Sequence, residues 1–147
     1  MISPTATSEF LRVFDARRAS GEDSADLAMR MLAETFPHCR WVGIYWLDAD
    51  MLVLGPYVGA PTDHVRIPVG RGVCGTAIAE GKNQIVPDVR QVENYLACSL
   101  KSRAEIVVLI RRAGEVVGQI DADSDDVGAF DSSDEELLTA VAERLAR

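Results

Sequence analysis

Two cysteines sit in unusual settings, Cys74 within Gly70-Arg-Gly-Val-Cys-Gly75 and Cys98 within Tyr95-Leu-Ala-Cys-Ser99. Carboxylates follow close behind: Glu105, then Asp121 and Asp123 in Gln119-Ile-Asp-Ala-Asp-Ser124. Thiols beside acids can do redox chemistry on sulfur, because a thiolate is the reactive form and a carboxyl can trade protons with it.

Each of these residues admits a plainer reading as well. Cys74 stands near the start of a short helical segment, where the positive end of the dipole favours thiolate; it is equally a small residue packed under a loop. Cys98 lies in a loop ahead of Lys101 and Arg103, cations that can lower its pKa, although burial is the commoner fate of a cysteine. Glu105 interrupts an otherwise apolar strand. Asp121 and Asp123 alternate, so both face one side. On the inner side of a sheet the three acids would cluster and keep at least one proton near neutral pH; at strand ends they would simply meet solvent.

Other chemistries find little support. Gly70-Arg-Gly-Val-Cys-Gly75 matches G-x-G-x-x-G but follows Pro68 and opens only a short helix, which is the wrong context for a dinucleotide. The same glycines expose peptide N–H groups at a helix start, a cradle for a small anion such as a carboxylate. Cys39 reads as structural, and His38 beside it lacks the further ligand spacing of a metal site, so no metal is expected. With only His38 and His64 in the chain and no nucleophile-elbow motif, a Ser/His/Asp triad is disfavoured.

These residues need a scaffold, and the composition allows one. The 147 residues favour a single domain over 1–147, long enough to bury roughly 70% of its unfolded surface. A net charge of −8 argues against nucleic acid and anionic membranes as partners. No apolar run reaches the ~20 residues of a membrane span. The N-terminus lacks a secretory pattern, and three scattered cysteines fit a reducing, cytoplasmic setting.

Apolar spacing predicts a helix over about residues 5–18 and a second one through Leu27, Ala28, Met31, Leu32 and Phe36, opened by Gly21-Glu-Asp-Ser24 and ended by Pro37. Trp41–Leu47 and the run from Met51 form a hairpin, and Val65–Pro68 is a short strand that its proline confines to an edge or an end. A short helix Cys74–Glu80 ends at Gly81. Asn83–Val86 is a short strand, and Asp88–Cys98 a loop with a helical turn. Ala104–Ile110 and Glu115–Asp123 form a second hairpin around Arg111–Gly114. Ser132 or Ser133 caps a C-terminal helix with Leu137, Leu138, Val141 and Leu145 as its buried stripe. The expected class is α+β, an antiparallel sheet with helices on one face.

Several stretches together carry a family resemblance. Trp41-Val-Gly-Ile-Tyr45, Leu52-Val-Leu-Gly-Pro-Tyr57, Val65-Arg-Ile-Pro-Val-Gly-Arg-Gly-Val-Cys-Gly-Thr-Ala77, Leu96-Ala-Cys98, Ser102-Arg-Ala-Glu-Ile-Val107 and Ile120-Asp-Ala-Asp-Ser124 resemble the free methionine-(R)-sulfoxide reductases, small cytosolic enzymes built on a GAF domain. The resemblance implies a GAF-like antiparallel β-sheet flanked by helices, with a ligand pocket between the sheet and the middle loops. It implies that Cys98 is the nucleophile, that Glu105, Asp121 and Asp123 hold the sulfoxide oxygen and the substrate amine, and that Trp41 and Tyr45 lie near the substrate methyl. Gly72, Val73 and Cys74 match the loop near the substrate carboxylate. One departure stands out: His64 occupies the place where the family usually has a resolving cysteine.

The implied reaction is reduction of free L-methionine-(R)-S-oxide through a sulfenic acid on Cys98. Either Cys74 then resolves it or an external thiol such as thioredoxin attacks directly, with no bound cofactor. A homodimer is left open. The alternative, motivated by His64, is a non-catalytic GAF module that binds a small ligand or senses redox state.

Overall fold

The computed structural model describes residues 1–95 and 101–146. Among the described residues six strands make one antiparallel sheet: β1 (Trp41–Asp48), β2 (Met51–Val58), β3 (Arg66–Pro68), β4 (Gln84–Val86), β5 (Ala104–Arg112) and β6 (Glu115–Ser124). Their order across the sheet is β3-β2-β1-β6-β5-β4, so the two longest hairpins meet at the β1–β6 pair. Four α-helices accompany them: α1 (Pro4–Ala19), α2 (Ser24–Thr35), α3 (Gly72–Glu80) and α4 (Ser132–Leu145). The helical turn expected after Asp88 is a 3-10 turn, Val89–Gln91.

β5 is buried from Ala104 through Ile110 and β6 from Gly118 through Ser124, which requires cover on both faces of the sheet. Strand alternation sorts the residues. Val42, Ile44, Ile106, Val108, Ile110, Ile120 and Ala122 face α1, α2 and α4 and form the main core. Trp41, Tyr45, Val107 and Leu109 face the other way, against Val73, Cys74 and Ala77 of α3. The expectation of helices on one face therefore holds for three of them, while α3 crosses to the opposite face. Its brevity hid this: its apolar positions do not form a stripe long enough to reveal a direction. The sheet is thus flanked by helices, as the family resemblance implied.

The β5–β6 turn is the two-residue Ala113-Gly114, both with positive φ (52° and 82°), the geometry whose twist matches a hairpin. At α4 the cap is Asp131 rather than Ser132 or Ser133. Its carboxylate accepts from the Ser133 N–H at 2.8 Å, and the Asp134 carboxylate accepts from the Asp131 N–H at 2.9 Å. A carboxylate satisfies the same donors as a hydroxyl and adds a favourable charge at the helix N-terminus. Among the described residues no helix is long and apolar enough to cross a membrane.

Candidate active site

The registers of β1, β6, β5 and β4 build the site in rows. Trp41 is opposite Asp123, Asp123 opposite Glu105, and Glu105 opposite Val86. Two residues along on the same face, Gly43 is opposite Asp121 and Asp121 opposite Val107. Two further on, Tyr45, Gln119 and Leu109 make the next row. Exposure decides between the two readings of the acids: Glu105, Asp121 and Asp123 are only 3%, 0% and 1% exposed, so they gather inside, beneath α3, and do not meet solvent.

Cys74 joins them. Its thiol donates to Glu105 Oε1 at 3.7 Å. Ligand atoms of Cys74, Glu105 and Asp121 all lie within 4.8 Å of one another, one thiol and two carboxylates, which is the donor set a divalent cation would use if one entered. Burial holds the Glu105 carboxyl well above the usual carboxylate range, and the charges of Asp121 and Asp123 push it further in the same direction. Asp121 is also raised by burial, a shift that Glu105 and the Cys74 thiol oppose. Of these two, Glu105 is thus the acid that keeps its proton more readily.

The start of α3 supplies the opposite polarity. The helix begins at Gly72, two residues earlier than its sequence suggested, so Gly72, Val73 and Cys74 form its first turn. Arg71 at the N-cap offers no side-chain hydrogen bond to that turn, and uncapped N–H groups at a helix N-terminus favour an anion. Gly75 is obligatory here. A Cβ on it would sit 2.6 Å from the Pro68 carbonyl oxygen, and the Gly70 N–H donates to the Gly75 carbonyl at 2.8 Å. These contacts seat α3 against the end of β3.

Aromatic rings form the wall beside the acids. Trp41 and Tyr45 stack with centroids 6.4 Å apart, and Tyr57 stacks with Trp41 at 5.5 Å. The Trp41 indole N–H donates to the Ala60 carbonyl at 3.1 Å, and the Tyr45 hydroxyl to the His64 carbonyl at 2.8 Å. The loop carrying His64 is thereby tied to the site. Cys98 lies outside the described residues, and so does any link between it and Cys74.

Two features escaped the sequence reading. Tyr57 extends the aromatic wall outward, a contact made across strands. Gln119 is fully buried on the same face as Asp121, and neither its amide oxygen nor its amide nitrogen has a hydrogen-bond partner among the described residues. Its phase with Asp121 and Asp123 was the available signal. Away from the site, His38 pairs with Asp134 at 2.7 Å and Cys39 is buried beneath the helices.

The geometry has counterparts among known proteins. The GAF domain profile matches residues 20–147. The free methionine-R-sulfoxide reductase of Escherichia coli is 39% identical over 117 residues, 80% of this chain and 70% of its relative. The chain belongs to the free methionine-(R)-sulfoxide reductase family of GAF domains. The free methionine-R-sulfoxide reductase of Neisseria meningitidis, solved in complex with its substrate, superposes on this family member with a TM-score of 0.90 and 37% identity, covering 97% of this chain and 87% of that one. Protein YtsP of Bacillus subtilis is 43% identical over 82% of this chain and 74% of its own length.

Proposed function

We propose that this single-domain protein reduces free L-methionine-(R)-S-oxide to methionine, acting in a reducing cytoplasm on a thiol electron supply. The observation that carries the reading is the burial of Glu105, Asp121 and Asp123 on one sheet face beside the Cys74 thiol and the Trp41–Tyr45 wall. Three inward acids destabilise a fold, and a zwitterionic ligand with a basic sulfoxide oxygen gives them a purpose. Relatives named for this activity, one of them in complex with its substrate, support the same reading.

In this reading the ligand carboxylate rests on the N–H groups of Gly72, Val73 and Cys74. Its ammonium pairs with Asp121 or Asp123, and its methyl packs against Trp41 and Tyr45. The Cys98 thiolate attacks the sulfoxide sulfur while Glu105, neutral because of its burial, gives its proton to the oxygen. The hydroxyl then moves to the Cys98 sulfur as the S–O bond and the bond between the two sulfurs break, so methionine leaves and Cys98 is left a sulfenic acid. A thiol then condenses with it, releasing water and forming a disulfide. Cys74 takes that part in place of the residue that His64 replaces, and a thioredoxin-type dithiol reduces the disulfide, becoming oxidised itself.

The test is methionine formation from the free (R)-sulfoxide with thioredoxin or a small dithiol. Turnover by the wild type and its loss in Cys98→Ser are expected. A wild type that binds the sulfoxide but forms no methionine would instead make the protein a ligand-binding GAF module. Mapping disulfides by mass after one equivalent of sulfoxide checks the resolving step, with a Cys74–Cys98 bond expected.

A further inference from the structure

We propose that Gln119 positions the substrate by donating a hydrogen bond from its amide nitrogen to the sulfoxide oxygen, and so sets the preference for sulfoxide over methionine. This rests on the site being one for free methionine sulfoxide.

A primary amide offers two donors and an acceptor oxygen, and buried polar groups in folded proteins are nearly always paired. Gln119 is 0% exposed, yet neither Nε2 nor Oε1 has a partner among the described residues. Its neighbours in the sheet register explain why none is at hand. On one side stands Leu109, which has no polar side-chain atom, and on the other Tyr45, whose hydroxyl already donates to the His64 carbonyl. An aliphatic side chain at this position would suit the surrounding Tyr45, Val107 and Leu109 cluster without any unpaired group. The amide is therefore accounted for by something that enters the site.

The ligand's chemistry narrows what that is. Its ammonium suits Asp121 or Asp123 and its carboxylate suits the start of α3, leaving the sulfoxide oxygen, which only accepts and has room for a second donor beside Glu105. Gln119 shares its row with Tyr45, the ring set against the methyl on the sulfoxide sulfur, and lies one row from Asp121. A carboxyl can donate only while protonated, whereas an amide donates at every pH. Methionine has no oxygen on its sulfur to receive the bond, so the amide is left unpaired again once the product forms. A site built to bond a polar group discriminates strongly against the analogue that lacks it.

The experiment compares binding of methionine-(R)-sulfoxide and of methionine by calorimetry, in a Cys98→Ser background that prevents turnover, with and without Gln119→Met. The expected result is about a tenfold loss of affinity for the sulfoxide with methionine affinity held within about twofold, and a melting temperature equal to or above the parent's. Equal losses for both ligands, or no loss for either, overturn the assignment. Gln119→Leu gives the same comparison if the methionine variant does not fold. A wild type that neither binds nor turns over the sulfoxide overturns the functional reading together with this one; a wild type that turns it over, with Gln119→Met keeping the sulfoxide preference, overturns the assignment of Gln119 alone.

Discussion

Glu105 and Asp123 face each other directly across the β5–β6 ladder, and both are buried. Like charges in opposed ladder positions destabilise a sheet, and desolvation adds to the repulsion. Asp121, on the same face one row away, makes the arrangement harder still to tolerate. The strands hold it by retaining protons, on Glu105 more readily than on Asp121. A cluster so unfavourable to folding belongs to the chemistry of the site.

That proton gives a pH signature. In the unfolded chain Glu105 ionises near the 4.5 of an ordinary glutamate, and in the folded protein its pKa lies well above that. A raised folded value means the native state binds more protons, so the stability it contributes is complete below about pH 4.5 and is lost as pH climbs through the folded value. Gln cannot ionise. Glu105→Gln should therefore melt at a higher temperature than the wild type at pH 8, with the gap closing toward pH 5, while sulfoxide turnover falls by about 100-fold or more. Melting curves across this range decide it; a gap that grows toward acid pH would contradict the assignment of the proton.

The α4 cap separates fold from site. Asp131 accepts from the helix on the face of the sheet opposite the acids. Asp131→Ala should lower stability by about 0.5–2 kcal/mol in urea unfolding, with ligand affinity unchanged within about twofold. A comparable loss of affinity would mean that α4 communicates with the site across the sheet.

Much of this was legible in the residues, and the gaps have physical causes. Both hairpins, the edge position of β3 and the apolar stripe of α4 followed from alternation, Pro68 and helical spacing, because each is a local pattern. The alternation of Asp121 and Asp123 placed them on a common face but not on which one. That depended on α3 covering the face, a tertiary fact that a nine-residue helix does not advertise. The Asp131 cap was missed because two serines offered the same hydrogen bond one and two positions later. Gln119 was passed over since one glutamine between Gly118 and Ile120 resembles a strand position turned to solvent, and only the packing of β1 and β5 on either side buries it.

Cys39 provides a control for thiol reactivity. Burial, reinforced by the nearby negative charge of Asp134, pushes its thiol up to about 12. The reactive species is the thiolate, so iodoacetamide at pH 8 should leave Cys39 unmodified in the native protein and label it only after unfolding in urea. Peptide mass mapping reads this directly, and native labelling at the rate of a free thiol would show that the α2–β1 junction opens far more readily than its packing implies.

Gly43 links the aromatic wall to the acids, and its replacement tests whether the wall binds ligand. It is opposite Asp121 on β6, and a Cβ there would lie 2.5 Å from Trp41 Cη2 and 2.8 Å from Tyr57 Cβ. The indole edge can swing away, but Tyr57 Cβ is fixed to its backbone, so the strands must shift as well. Overpacking of this kind typically costs about 1–3 kcal/mol. Gly43→Ala should thus destabilise the protein by about that amount and, because Trp41 is displaced from the ring stack, weaken sulfoxide binding by about tenfold or more, a methyl-sized contact being worth about 1–3 kcal/mol. Chemical denaturation and calorimetric titration measure the two effects separately. Stability loss with unchanged affinity would remove Trp41 from the binding surface and leave the acids and the start of α3 to hold the ligand alone.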